Sequence, residues 1–208
     1  MTAAAMTRPE ALSLPVPLKD GAVAVERAFK LRRSVREFAP VPVAMSDVSQ
    51  LLWAAQGLTT TDGRRTAPSA GALYPLEVYV VAGNVENLAA GVYHYDPRLH
   101  RLEAIAKGDR RAGLSRAAFE QEFIAQAPAA IVIAAVHART ATKYGARAER
   151  YCAIEAGCAA QNIALQAVAL GLGTVVVGAF DDARVREAAS MQRSEMPLII
   201  MPIGKPRH

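Results

Sequence analysis

The chain has 208 residues, 52% of them apolar and 21% charged, with a formal net charge of +5; that length suits one sizeable domain with a single core and is too short for two ordinary ones. Its longest apolar runs fall well short of the roughly 20 residues a membrane helix needs. Its basic residues are spread along the chain, mostly as Arg in an Ala-rich sequence, with no RNP, zinc-ligand or helix-turn-helix pattern to point to nucleic acid.

Residues 1–21 form a Pro-containing arm that alternates Ala, Pro and polar residues. No basic n-region with an apolar run opens it, so no secretory signal is expected and a cytoplasmic location follows. A single domain is expected over residues 22–208. From about Ala22, the apolar residues Val25, Ala28, Phe29 and Leu31 recur at helical spacing. Phe38-Ala39-Pro40-Val41-Pro42 then forces extended backbone. Ser46 predicts an N-cap, with Val48, Leu51, Leu52 and Ala55 on the buried face of the helix and Gly57 at its end. Thr59 to Arg65 reads as a polar loop, and Pro68 to Pro75 as a segment of small residues that another backbone or a ligand can approach closely.

Leu76 to Ala82 has the composition of a buried strand, and Gly91 to Pro97 with Leu99 to Ile105 that of a hairpin. A polar helical stretch is expected around Arg110 to Gln126, and a central strand over Pro128 to Val136. From about Arg147 to Leu170 the chain lacks proline and has few β-branched residues, which predicts the longest helix. Ala153, Ala156, Gly157, Ala160 and Ala164 give that helix a stripe of small residues that permits close packing against a second helix. Gly171 is its expected cap. An extended segment over Thr174 to Phe180, a short helix opened by Asp181 and a last strand over Pro197 to Ile203 precede the basic tail.

Chemistry-bearing residues are few. Cys152 and Cys158 are six apart on a helix, so they face different ways and read as two core thiols rather than a disulfide or a redox pair. His94, His100, His137 and His208 have no metal-ligand spacing, and no metal site is expected. The densest signal is Arg32-Arg33-Ser34-Val35-Arg36, where three guanidinium groups and a hydroxyl within five residues suit a phosphorylated ligand. Taken alone, such a run also fits a solvated helix face. Gly171, Gly173 and Gly178 by themselves fit a cap and a turn as well as a ligand site.

In four separated places the chain resembles the nitroreductase family of flavoproteins. These are Arg32 to Arg36, the segment from Arg65 through Pro68-Ser69-Ala70-Gly71 to Pro75, the stretch from Gln161-Asn162 to Gly178-Ala179-Phe180-Asp181, and the ending Pro202-Ile203-Gly204-Lys205-Pro206. Within the family it looks most like the SagB-type, azoline dehydrogenase-like branch, through Gly91-Val92-Tyr93-His94-Tyr95 and through Lys143 to Arg147 followed by Arg150-Tyr151. The resemblance implies an α+β fold with a mixed, mainly antiparallel central sheet flanked by helices. It also implies an intertwined homodimer with one FMN per subunit at the interface.

By the same resemblance, Arg32, Arg33, Ser34 and Arg36 begin a cradle for the FMN phosphate and ribityl chain, which Lys205 and Arg207 close. Pro68, Ser69 and Ala70 reach the flavin from the other subunit, and Asn162 lies on the helix lining the interface. Val176, Val177, Gly178 and Ala179 run along one face of the isoalloxazine, with the Gly178 N–H toward N5. Lys143 and Tyr144 match a pair that stands near the substrate and helps move a proton, and a solvated Lys beside a packing Tyr is the alternative. The implied activity is an FMN-dependent oxidoreductase that passes a hydride through flavin N5, from NAD(P)H to a small-molecule acceptor such as a nitroaromatic or quinone. Oxidation of azoline rings in a modified peptide is the second possibility, and a non-catalytic flavin or anion-binding module the third.

Overall fold

Seven strands make one sheet in the order β1-β4-β3-β2-β5-β7-β6, and every neighbouring pair is antiparallel. The computed structural model describes residues 11–207, with β1 at Ala11–Ser13, β2 at Leu76–Ala82, β3 at Gly91–Asp96, β4 at Arg101–Lys107, β5 at Ala129–Ala135, β6 at Gly173–Thr174 and β7 at Met196–Gly204. The helices are α1 Val25–Leu31, α2 Met45–Gln56, α3 Arg111–Ala117, α4 Phe123–Gln126, α5 His137–Tyr144, α6 Ala148–Ala169 and α7 Asp182–Ala188. Parallel pairing is confined to the isolated bridges Ser34–Thr174 and Val43–Val85.

Strand β5 is buried at all seven residues because both faces of the sheet are covered, which is why it reads as an unbroken apolar run. Side chains alternate across a strand. Val78, Val80, Ile131 and Ile133 therefore face a core shared with α2 and α6, while Tyr79, Val81, Val132 and Ala134 face another shared with Leu114 of α3, Ile124 of α4 and Val185 of α7. No helix among the described residues is long and apolar enough to cross a membrane.

Several local expectations need correction. Helix α2 starts from Ala44, and Ser46 makes no capping bond; the chain enters the helix directly from the Val43–Val85 bridge, which sets the start two residues early. Gly57 ends it in extended rather than left-handed backbone, and it is glycine because a Cβ there would lie 2.1 Å from the Trp53 ring. The stretch from Arg110 to Gln126 is two helices broken by Phe119 and Glu120, both at positive φ. Helix α5, not anticipated at all, fills the gap before α6. Part of the arm is sheet: β1 pairs with β4, Ser49 Oγ donates to the Pro15 carbonyl at 2.6 Å, and the Gln50 amide bonds both the N–H and the carbonyl of Leu18. His208 and residues 1–10 lie outside the described residues.

Two apolar stripes divide differently from their sequence pattern. On α1 only Ala28 is buried, whereas Val25, Phe29 and Leu31 face outward, Phe29 at 57% exposure. On α6, Ala156, Ala160 and Ala164 pack into this chain's own core with Cys152, Ala159, Ile163 and Ala167, while Ala153, Ile154 and Gly157 face outward. Helix period explains the division, since positions 156, 160 and 164 share a face and 153 and 157 share another. Cys158 is only partly buried and is thus not a core thiol.

Candidate functional site

The arginine run follows α1 as extended chain laced to two distant segments. The Arg32 N–H closes α1 on the Ala28 carbonyl at 2.9 Å, and the Val35 N–H then donates to the Thr174 carbonyl at 3.0 Å. The Ala39 N–H donates to the Lys205 carbonyl at 2.8 Å, and the Arg207 N–H to the Glu37 carbonyl at 3.0 Å. Val35 turns inward against Gly173, where a Cβ would lie 2.7 Å from its side chain. Alternation leaves Ser34 and Arg36 exposed. Residues from positions 32–36, 173–179 and 205–207 are thereby brought side by side.

Beyond β6 the chain continues along β7. Val177 is buried and exchanges two 2.9 Å backbone bonds with Ile200, while Val176, Gly178 and Ala179 are exposed. Gln121 Nε2 holds the Ala179 carbonyl at 3.1 Å, and the Arg36 guanidinium lies 5.8 Å over the Phe123 ring. Sequence reading missed both Gln121 and Phe123. Among the described residues Arg32, Arg33, Arg36, Lys205 and Arg207 form no ion pair, the Gly178 N–H has no acceptor, and the buried Thr174 Oγ1 has no partner. Like charges gathered without an ion pair, with Asp47 near enough to Lys205 to feel its charge, and beside the open Gly178 N–H, match the needs of a phosphate and a flavin ring. The residues present therefore fit FMN.

A second group forms at the other end of α6. Pro68, Ser69 and Ala70 pack against Tyr151, Ile154, Glu155 and Cys158, around a recess of about 290 Å³. Glu155 Oε1 accepts the Ala70 N–H at 2.8 Å and Ser69 Oγ accepts the Tyr74 N–H at 2.8 Å. Burial raises the Glu155 carboxyl above its ordinary range, against the pull of the Ala70 N–H. Helix α5 brings Lys143 and Tyr144 to the same turn: a Cβ on Gly71 would lie 3.1 Å from the Tyr144 hydroxyl and 3.3 Å from Lys143 Nζ. Tyr144 is itself fixed edge-on to Tyr151, with ring centroids 5.0 Å apart. Glu155 also escaped sequence reading, although a lone acid at the helical spacing of Cys152 and Ala159 was its signal.

Asn162 joins neither group directly. Its Nδ2 donates to the carbonyls of Ala54 and Thr66, at 3.1 and 3.3 Å, and so ties α6 to α2 and to the root of the Pro68 segment. The two groups flank α6, which at 22 residues is about 33 Å long. From Tyr151 and Cys158 to its end at Ala169 the axial rise is about 27 and 16 Å.

Residues 30–205 match the nitroreductase family. MJ1384, a predicted nitroreductase of Methanocaldococcus jannaschii, is 44% identical over 183 residues, spanning 88% of this chain and 91% of that protein. The microcin B17-processing protein McbC of Escherichia coli is 33% identical over 147 residues, 68% of this chain but 54% of McbC. A nitroreductase-like protein of Ralstonia eutropha, solved by crystallography, superposes with a TM-score of 0.84 at 31% identity, covering 99% of this chain and 97% of that one. Fold, motif order and relatives agree that the chain belongs to the nitroreductase family, an oxidoreductase family, and its likeness to McbC bears out the SagB-type, azoline dehydrogenase-like branch read from its motifs.

Proposed function

We propose that the protein is an FMN-dependent oxidoreductase that works as a homodimer, taking electrons from NAD(P)H and delivering them to a small acceptor such as a nitroaromatic or quinone. The observation that carries this reading is the zipping of residues 32–36, 173–179 and 205–207 into one basic surface whose cations form no ion pair and which carries the open Gly178 N–H. Arg32, Arg33, Ser34, Lys205 and Arg207 would hold the phosphate and ribityl chain. Arg36 would stand near the pyrimidine end, where a guanidinium stabilises negative charge. Val176 to Ala179 would support the ring, the Gly178 N–H serving as a donor. When bound, FMN supplies the hydride-accepting and hydride-donating chemistry at N5.

The second group supports the dimer. Pro68 to Ala70, Lys143 and Tyr144 stand toward the opposite end of α6 from the basic surface. A second copy with its α6 antiparallel would bring the two groups together, and each already presents an exposed apolar side chain, Ile154 at 55% and Val176 at 52%. Lys143 and Tyr144, held at Gly71, then stand where a substrate proton can be taken up or given.

Likeness to McbC and the Lys143–Tyr144 placement favour a second reading, azoline oxidation in a modified peptide. One experiment separates them. The purified protein is expected to be yellow, to elute as a dimer with its flavin, and to bleach with NADPH. Bleaching only with an azoline-containing peptide moves the assignment to the second reading, and a colourless monomer sinks both, leaving an anion-binding module without redox chemistry.

A further inference from the structure

Across the 70–74 turn from Lys143 lies a polar recess of about 510 Å³ that the flavin site does not use. It is walled by Arg65, Tyr74, Glu77, His94, Arg98 and Arg139, and through Arg65, Tyr74 and Arg98 it continues into another of about 620 Å³ beside Arg64. These are volumes of the size that holds small ligands.

Its acids are already committed. Glu77 is paired with Arg139 and with His94 Nε2 at 2.6 Å, and Arg101 takes both Asp96 and Glu103, at 3.4 and 2.6 Å. Arg64 pairs with Asp62 at 3.1 Å. Two guanidinium groups form no ion pair among the described residues, although Arg65 feels the charges of Glu77 and Glu155. Arg65 donates Nη1 to the neutral Gln56 Oε1 at 2.9 Å and lies 4.5 Å over the Tyr74 ring, while its buried Nε has no partner. Arg98 is exposed at the hairpin tip and makes no ion pair. Burial lowers the Arg65 pKa, and Arg98 and Arg139 repel it further, against the attraction of Glu77. Such a group is stabilised by an anion.

The wall between this recess and Lys143 is strained. Gly71, Ala72 and Tyr74 all have positive φ, at 64°, 54° and 46°, a conformation that L residues hold only when their surroundings enforce it. Arg65 covers the Tyr74 ring, Arg139 Nη1 holds the Tyr74 carbonyl at 3.2 Å, and Ser69 Oγ holds its N–H. One side of the turn meets Lys143 and Tyr144, and the other lines the recess. Arg139 and Lys143 are also four apart on α5, hence on one face.

We propose that this recess is an anion subsite, in which Arg65 and Arg98 seat a carboxylate or phosphate carried by a redox partner whose other end reaches Lys143 over the 70–74 turn. The inference rests on the oxidoreductase reading above. The anion has two sources, a phosphate on the nicotinamide reductant or a carboxylate on the acceptor.

The test is calorimetric titration of the full-length protein as purified with adenosine 2′,5′-bisphosphate and with 4-nitrobenzoate, using adenosine and 4-nitrobenzyl alcohol as neutral counterparts. Wild type is expected to bind one anion at least about tenfold tighter than its neutral counterpart, and Arg98→Gln to remove most of that preference, the size expected for one charge-assisted contact. Because Arg98 is exposed, that variant is not burdened by refolding of the interior; Arg65→Gln is the second, with its melting temperature measured alongside. Preference for the bisphosphate assigns the reductant, and preference for nitrobenzoate assigns the acceptor. No preference in wild type, or one unchanged in both variants, overturns the proposal. The titration needs no turnover, so a protein that binds the anion yet carries no flavin overturns the oxidoreductase reading instead.

Discussion

The two groups of candidate site residues are built in opposite ways. The basic surface of residues 32–36, 173–179 and 205–207 is assembled by main-chain bonds, so its side chains are free to point outward and its charges stay unpaired. The 68–74 turn is held by side chains, through Glu155 on Ala70, Ser69 and Arg139 on Tyr74, and Arg65 on its ring. A backbone lattice tolerates side-chain replacement and leaves ligand affinity as the quantity that changes. A turn held in positive-φ backbone by side chains, the buried Glu155 among them, couples its shape to the charges on those groups. Binding at the first and positioning at the second are the roles we propose.

Helix α6 lies between the two, and substitutions on its two faces have opposite expected effects. Ala160 is 2% exposed inside the core, whereas a Cβ on Gly157 would meet nothing within 4 Å. Ala160→Phe is therefore expected to destabilise the subunit itself, by at least about 1–3 kcal/mol of overpacking out of a total near 5–15. Gly157→Phe should leave the subunit folded while separating the proposed dimer and releasing flavin with it. Circular dichroism melting and size-exclusion chromatography with flavin absorbance read the two effects apart. If Gly157→Phe remains a dimer with full flavin, α6 does not form the interface.

A smaller effect is expected at the basic surface. Arg36→Ala removes a charge-assisted contact of about 1.5–3 kcal/mol and should lower FMN affinity more than tenfold. Arg193→Ala removes the same charge from an exposed loop away from both groups and is the control. Equal flavin content in the two proteins would detach Arg36 from the cofactor.

The smallest effect belongs to the side-chain-held region and is read from pH. Burial opposes the charged His94 ring, but the hydrogen bond and charge of Glu77 outweigh it, so His94 titrates above its ordinary value of 6.5. Burial likewise opposes the Glu77 charge, and His94 and Arg139 outweigh it, so Glu77 titrates below its ordinary 4.5. A raised His contributes stability fully below 6.5 and loses it as pH rises through the folded-state value; a depressed Glu contributes above 4.5 and loses it as pH falls through its own. The pair thus stabilises the fold between those limits. His94→Gln should flatten the alkaline decline in melting temperature above pH 6.5, and an identical slope in wild type and variant would dismiss the pair as a source of stability.

Much of the fold was legible in the residues. The apolar run of β5, the face Val48-Leu51-Leu52-Ala55 of α2 and the Gly171 stop after α6 all follow from local period and turn chemistry. Helix α5 was not legible, because His137-Ala-Arg-Thr-Ala-Thr-Lys-Tyr buries only Thr140 and so carries no apolar stripe. The Gly57 role was legible as a stop but not in kind, since it depends on where the Trp53 ring lies.

Order and spacing along the chain carried the family, the strands and the residue types of the proposed phosphate and flavin site. Tertiary structure alone decided which of them meet. Backbone pairing brought residues 205–207 to 37–39, and the roll of α6 turned Ala156 and Ala160 inward and Gly157 outward. The recess around Arg65 exists only because β2, β3, the 70–74 turn and α5 converge there. Contacts between residues far apart in the chain are set by packing and by the pairing of charges in space, and neither is written in any local pattern.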